Sequence, residues 1–363
     1  MRVRYLRARP GEGPPQAALL QLAAEALLRL GERPEPEGSS DEERLEEALA
    51  RGLREAGADP EEARAQAAAA LARLRRGGWI EREPAPAGAR LWAGPKLLDL
   101  AAARALRDLL PRKLRRGAGS WPRPGAAGPH EPHGPVRRWR WGEPLVLDPG
   151  ETLKPWLARG ELTPEDLRVR EGEGGRRAAV ALLLDCSHSM VLYGADRFGP
   201  AKRLALALHR WLAGEGDRLQ VVCFHDLAEP VPPGRLPFLA AQPSHTNTAA
   251  ALEAARAWLG RQGDVERRAL LVTDGRPTAI RRPDGRLYKN AWGRDPEIER
   301  ATLAAAARLR RAGAALDLYL LEEDPQVRAA AAALARAARG RVVRVDPERL
   351  GRRVLTDLSG RGR

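Results

Sequence analysis

The second half of this chain predicts a doubly wound α/β fold around a mostly parallel sheet, and two observations carry that expectation. Residues 177–363 alternate short apolar runs with longer stretches whose apolar positions recur three and four apart, the pattern of strands followed by amphipathic helices. The run 178–184 is apolar without a break, as expected of a parallel strand buried on both faces. In order, the pattern predicts a strand over 178–184, a helix over 198–212, a strand over 219–224, a helix over 248–259 and a strand over 269–273. A helix over 296–312, a strand over 315–321, a helix over 326–339, a strand over 341–345 and a helix over 347–358 complete it. Sheets of this kind bind ligands beyond the carboxyl ends of their strands, where the strand order reverses.

The N-terminal third predicts a smaller, mainly helical domain over 1–112. Residues 15–31, 40–57 and 60–76 are rich in Ala, Leu, Glu and Arg at helical spacing. Ser40 ahead of Asp41-Glu42-Glu43 reads as an N-cap with an acidic first turn. Gly77-Gly78 ends the third helix, extended pieces follow at 79–80 and 89–92, and helical periodicity returns over 96–110. Helices, a two-stranded turn and a further helix form the order of a winged-helix-like module, and a plain helical adaptor fits equally well. Residues 113–176 read as a linker and lead-in. Its first part, 113–140, is mostly Gly, Pro and Arg with interleaved Trp121 and Trp139, and carries seven basic residues against one acidic, Glu131.

The chain has 363 residues, room for two folded units, each with a core, and a formal net charge of +14. That charge invites a nucleic-acid reading, but residues 1–112 hold 19 basic and 18 acidic side chains and are balanced. The basic residues are nearly all Arg and Asn, Met and Cys are scarce, as a GC-rich genome and a thermophilic source would give. No long apolar run and no signal-peptide core follow Met1, so a cytoplasmic protein without a membrane partner is expected. The two cysteines, Cys186 and Cys223, lie in strand-like runs with no close-spaced Cys or His; free thiols in a reducing compartment fit, and a disulfide framework does not.

Chemistry concentrates in three oxygen-bearing clusters at one edge of the predicted sheet. Asp185-Cys186-Ser187-His188-Ser189 leaves the first strand with oxygens on alternate residues, which one turn can aim into a single concavity while Cys186 and His188 point away. Thr246-Asn247-Thr248 opens a helix, and Thr273-Asp274-Gly275 ends another strand. Hydroxyls and carboxylates without imidazole or thiolate suit a hard ion, Mg²⁺ or Mn²⁺, rather than zinc. With at most two carboxylates the ion keeps positive charge, which favours a carboxylate from outside as its last ligand.

On these residues the segment 177–358 resembles a von Willebrand factor A domain, with Asp185-x-Ser187-x-Ser189, Thr246 and Asp274 matching the metal-ion-dependent adhesion site of that family. The resemblance implies that Ser187 and Ser189 bind the ion directly, that Thr246 is the ligand that switches, and that Asp185 and Asp274 support the charge. Thr248 is the substitute for Thr246. Trp141-Gly142-Glu143-Pro144 with Asp148, Leu162-Thr163-Pro164-Glu165-Asp166, and Thr273-Asp274-Gly275-Arg276-Pro277-Thr278 resemble bacterial members that partner AAA+ ATPases of the MoxR or magnesium-chelatase type. The long acidic linker of the chelatase subunit is missing, which argues against chelatase activity.

The expected function is therefore a metal-dependent adaptor that binds an acidic residue of an AAA+ ATPase or its client, without catalysis. A nucleic-acid-binding protein using the N-terminal module and the basic linker is the alternative. Asp185, Ser187 and His188 are too close in sequence to bond in series as a triad. An aspartyl-nucleophile phosphatase would want a second acidic residue at Ser187. No Gly-x-x-x-x-Gly-Lys-Ser/Thr loop occurs, so the chain lacks the P-loop route to ATP hydrolysis.

Overall fold

The computed structural model describes residues 16–31, 39–85, 88–109, 136–138, 151, 152, 154, 163, 166–170, 178–192, 196–213, 217–263 and 265–359. Its N-terminal part runs α1 (Gln16–Arg29), α2 (Asp41–Glu55), α3 (Pro60–Arg76), β1 (Ile80–Ala85), β2 (Gly88–Ala93) and α4 (Pro95–Leu109), with β1 and β2 antiparallel. The predicted cap forms: Glu43 N donates to Ser40 Oγ at 3.2 Å and Ser40 N donates to the Glu43 carboxylate at 2.8 Å, so two otherwise orphaned amides at the start of α2 are satisfied. Two short strands, β3 (Val136–Arg138) and β4 (Arg168–Arg170), pair antiparallel, so the segment 113–176 read as linker and lead-in contributes both strands of a small sheet. Trp121, Trp139, the stretch Trp141 to Pro144, Asp148 and most of Leu162 to Asp166 lie outside the described residues.

The C-terminal part is the expected α/β sheet. It runs β5 (Ala178–Asp185), α5 (Phe198–Ala213), β6 (Arg218–Phe224), β7 (Ala228–Val231), α6 (Thr248–Leu259), β8 (Glu266–Thr273), a hairpin of β9 (Ala279–Arg281) and β10 (Leu287–Lys289), α7 (Pro296–Arg311), β11 (Ala315–Leu320), α8 (Pro325–Ala337), β12 (Arg341–Arg344) and α9 (Leu350–Ser359). The sheet order is β12-β11-β8-β5-β6-β7. All neighbours are parallel except the edge strand β7, which runs back along β6. That edge and the β9–β10 hairpin carry no alternating apolar pattern and escape sequence reading. Chain order reverses between β5 and β8, and their carboxyl ends lie side by side, with Leu184 opposite Val272.

Two apolar layers sandwich the sheet, and β5 shows how. Its even residues Val180, Leu182 and Leu184 join a core with α5 and α9, while Ala179, Ala181 and Leu183 join a second core with α6, α7 and α8. The first core also contains Leu27, Leu45, Leu49, Leu74, Leu97 and Ala101, so the N-terminal helices continue the layer over α5. Polar ties reinforce that junction. Asp41, at the start of α2, accepts from Leu91 N at 2.9 Å and pairs with Arg235 at 2.5 Å and with Arg44 at 3.1 Å. Arg235 stands in a 3-10 turn, Pro233–Phe238, within the loop that later supplies Thr246.

Just past the C-cap of α8, Ala338, comes Arg339, whose φ of 51° is the left-handed region that glycine tolerates at lower cost. An Arg339→Gly variant should therefore unfold at higher denaturant concentration, gaining about 0.5–1 kcal/mol. Equilibrium urea unfolding checks this.

The cysteines correct the expectation of free thiols. Cys186 and Cys223 form a disulfide, with Cα atoms 6.0 Å apart. The parallel pairing of Leu184 with Cys223 and of Asp185 with Phe224 brings the strand ends together across 37 residues of sequence, an adjacency that spacing alone does not reveal. Cysteine usage thus lends no support to a reducing compartment. None of the described helices is long and apolar enough to cross a membrane.

Candidate metal centre

At the switch between β5 and β8 the chain gathers oxygen atoms from three loops. Asp185 ends β5 with its carboxylate fully buried; Ser187 N donates to Oδ1 at 2.9 Å, and Thr273 Oγ1 donates to Oδ2 at 2.5 Å. Each carboxylate oxygen is thereby fixed by a neighbour on a different strand end. Ser187 and Ser189 follow across a 3-10 turn, His188–Val191, with their hydroxyls 3.2 Å apart. Thr246 Oγ1 donates to Ser187 Oγ at 3.1 Å, and Ser189 Oγ donates to Asp274 Oδ1 at 2.8 Å. All five predicted residues therefore converge. The chain of contacts Thr246, Ser187, Ser189, Asp274 has no link longer than 3.2 Å, close to the spacing of about 2.9 Å between neighbouring oxygens around an octahedral Mg²⁺.

Thr246 reaches its place because Asn247 caps α6, accepting from Ala250 N at 3.1 Å. The hairpin clasps the same residue from the other side: Thr246 N donates to Thr278 Oγ1 at 3.0 Å, and Thr278 N donates to Thr246 O at 2.9 Å. Thr248 is buried as the first residue of α6, and none of the hydrogen bonds that tie the cluster together involves it.

The electrostatics are those of a site short of positive charge. Burial, then the nearby Asp274 carboxylate, pushes Asp185 up to about 7 from an ordinary 3.8. Burial likewise raises Asp274, against the hydrogen bond from Ser189 and the charge of Arg197. Arg197, at the entrance to α5, donates to Asp274 Oδ2 at 3.1 Å and to Glu322 at 2.5 Å. Sequence reasoning missed Arg197 and Glu322, which lie 77 and 48 residues from Asp274 and join it only when α5 and the loop after β11 close over the switch point.

The donor set passes a chemical test for a hard cation. Cys186 is consumed in its disulfide and His188 faces solvent, so no thiolate or imidazole enters the cluster. Among the described residues no group of three or more His, Cys, Asp or Glu forms an alternative centre. Hydroxyl and carboxylate oxygens remain, the preference of Mg²⁺ and Mn²⁺.

Comparison with known proteins identifies the family of the domain. Residues 178–359 match the family described as Rv0959-like protein, vWA domain. Uncharacterized protein Rv0959 of Mycobacterium tuberculosis H37Rv is 33% identical over 278 residues, which cover 72% of this chain and 41% of the relative, and Mb0984 of Mycobacterium bovis matches to the same extent. The chain thus spans well under half the length of these relatives. Among solved structures, the PilB minor pilin from Streptococcus sanguinis aligns with a TM-score of 0.42 at 14% identity, over 51% of this chain and 61% of that one. The SpRpn10 VWA domain aligns with a TM-score of 0.36 at 14% identity, over 50% of this chain and 95% of that one. Domains of this class commonly bind a divalent cation and act in protein interactions. By the family match over its C-terminal half and by its mycobacterial relatives, the chain belongs to the Rv0959-like family of von Willebrand factor A domain proteins.

Proposed function

We propose that this chain is a metal-dependent adaptor: Asp185, Ser187, Ser189, Thr246 and Asp274 hold one Mg²⁺ or Mn²⁺, which takes a carboxylate from a partner protein. The observation that supports it most is the unbroken run of hydroxyl and carboxylate contacts from Thr246 to Asp274, built from three separate loops. When bound, the ion supplies residual positive charge that an incoming carboxylate satisfies. The residues of the chain orient and desolvate the donors: Thr273 and the Ser187 amide lock Asp185, the hairpin and Asn247 lock Thr246, and Arg197 steadies Asp274. The reading is coordination rather than turnover.

The partner we favour is an AAA+ ATPase of the MoxR or magnesium-chelatase type, or its client, on the resemblance of the Asp274 to Thr278 stretch. Affinity capture of such an ATPase in Mg²⁺ should be lost in EDTA and with Ser187→Ala. Equal capture under all three conditions would overturn the proposal.

Because cation binding requires the anionic carboxylates, the stabilisation by Mg²⁺ must depend on pH. Asp185 has a folded pKa of about 7, above its ordinary 3.8. In the metal-free protein its contribution is thus fully present below the unfolded value and is lost as pH rises through about 7. Added Mg²⁺ acts oppositely, so the rise in melting temperature at one fixed Mg²⁺ concentration should be small near pH ~5.5 and grow toward pH ~8. A shift independent of pH would remove Asp185 from the site.

A further inference from the structure

We propose that the β9–β10 hairpin and the turn after it form the docking surface for an acidic partner segment that also carries an aromatic or apolar side chain, set beside the carboxylate that the cation takes. The inference rests on the metal-adaptor reading and names the chemistry of the partner.

Three observations carry it. Residues 275–294 hold six basic side chains, Arg276, Arg281, Arg282, Arg286, Lys289 and Arg294, against the single acidic Asp284. Trp292 is 89% exposed, the most open large apolar side chain among the described residues. A lone exposed apolar residue is ordinary, but this one is joined to the site through short links. Trp292 N donates to Asn290 Oδ1 at 3.0 Å, Asn290 N donates to Thr278 O at 2.8 Å, and Thr278 clasps Thr246. Arg276, two residues past Asp274, donates to Ala291 O at 3.1 Å and so binds the turn to the β8 end. An exposed indole on an arginine-rich segment has the composition that concentrates binding energy at protein interfaces.

The charges favour a peptide over a nucleic acid. Arg282, Lys289 and Arg294 are already matched by Glu297, Asp226 and Glu299. Arg286 lies 4.0 Å from Asp284, while Arg276 and Arg281 donate to the backbone carbonyls of Ala291 and Gly285, Arg276 also acting electrostatically on Glu299. Arg276 and Arg281, whose hydrogen bonds go to carbonyls and not to carboxylates, form a short acidic-residue receptor rather than a phosphate track. Arg282 lies over the Tyr288 ring at 3.9 Å, which leaves Trp292 as the open ring of this hairpin instead of a row of stacking platforms.

The test uses the full chain and fluorescence anisotropy with three labelled probes: a random Glu–Tyr copolymer, poly-glutamate and single-stranded poly-U. In Mg²⁺ the protein should bind the copolymer about tenfold more tightly than poly-glutamate, and Trp292→Ala should erase that preference. Arg276→Gln with Arg281→Gln should weaken both acidic probes about tenfold, with Mg²⁺ titration of each variant unchanged. Copolymer binding in Mg²⁺ that ignores all three substitutions would overturn the docking surface while leaving the metal reading intact. Binding that needs the hairpin but ignores EDTA and Asp185→Asn would support the surface and sink the metal reading. Tighter binding of poly-U through Trp292 and the same arginines would overturn the acidic-peptide assignment.

Discussion

Replacing Asp185 by asparagine should lower Mg²⁺ affinity by about 10- to 100-fold while leaving the fold intact, with the metal-free variant at least as stable as the parent above neutral pH. The two halves of that expectation have one cause. The carboxylate is fully buried and held up to about 7, so as an anion it costs the fold stability when no cation is present. The amide removes that cost and keeps the shape. Its oxygen can still accept from the Ser187 amide, and Thr273 Oγ1 can turn from donor to acceptor. A carboxylate retained for structure alone would behave in the opposite way, with a stability loss at every pH. Isothermal titration with Mg²⁺ and urea unfolding at pH ~8 separate the cases, since a structural role predicts unchanged affinity and a lower midpoint.

The sites of agreement and failure between sequence and structure follow physical lines. The apolar run of β5 and the helical periods of α5 to α8 were legible because one element, in its own sequence, carries the burial pattern. The candidate-site residues were legible for a related reason: two of the oxygen clusters stand at the ends of parallel strands, which share one edge, and the third opens a helix. Arg197 and Glu322 were not, because the bonds of Arg197 to Asp274 and to Glu322 depend on how two loops close in space. The disulfide failed similarly, since Cys186 and Cys223 meet through strand register and not through spacing. The β9–β10 hairpin hid behind a polar, Pro- and Gly-containing stretch that local reasoning assigns to loop. The helical N-terminal module was readable as helices and a two-stranded turn, but nothing in its own sequence announces what its apolar faces cover.

Lys202 fixes that junction with one buried cation, and Lys202→Met should destabilise the whole chain by about 3–5 kcal/mol. The residue lies in α5, is fully buried, and reads in sequence as one more cation on an amphipathic helix. Its ammonium donates to Leu27 O at 3.0 Å, to Leu30 O, and to Pro237 O at 3.2 Å. Leu27 and Leu30 stand at the carboxyl end of α1, where the last turn leaves carbonyls without amide partners and the helix dipole favours a cation. Pro237 stands in the turn that leads toward Thr246. One charge thus joins α1, α5 and the loop of the candidate site. Methionine matches the length and fills the space, so cavity formation does not confound the result, but three buried carbonyls lose their donor at about 1–3 kcal/mol each before relaxation. Because the first apolar core runs from the N-terminal helices through α5 to the sheet, the loss should appear as one cooperative transition at lower urea rather than as early release of residues 16–109. Urea unfolding followed at once by far-ultraviolet circular dichroism and by tryptophan emission decides the matter. Two separated transitions, or a midpoint equal to the parent's, would show that the helical module does not depend on this lysine for its seat on the sheet.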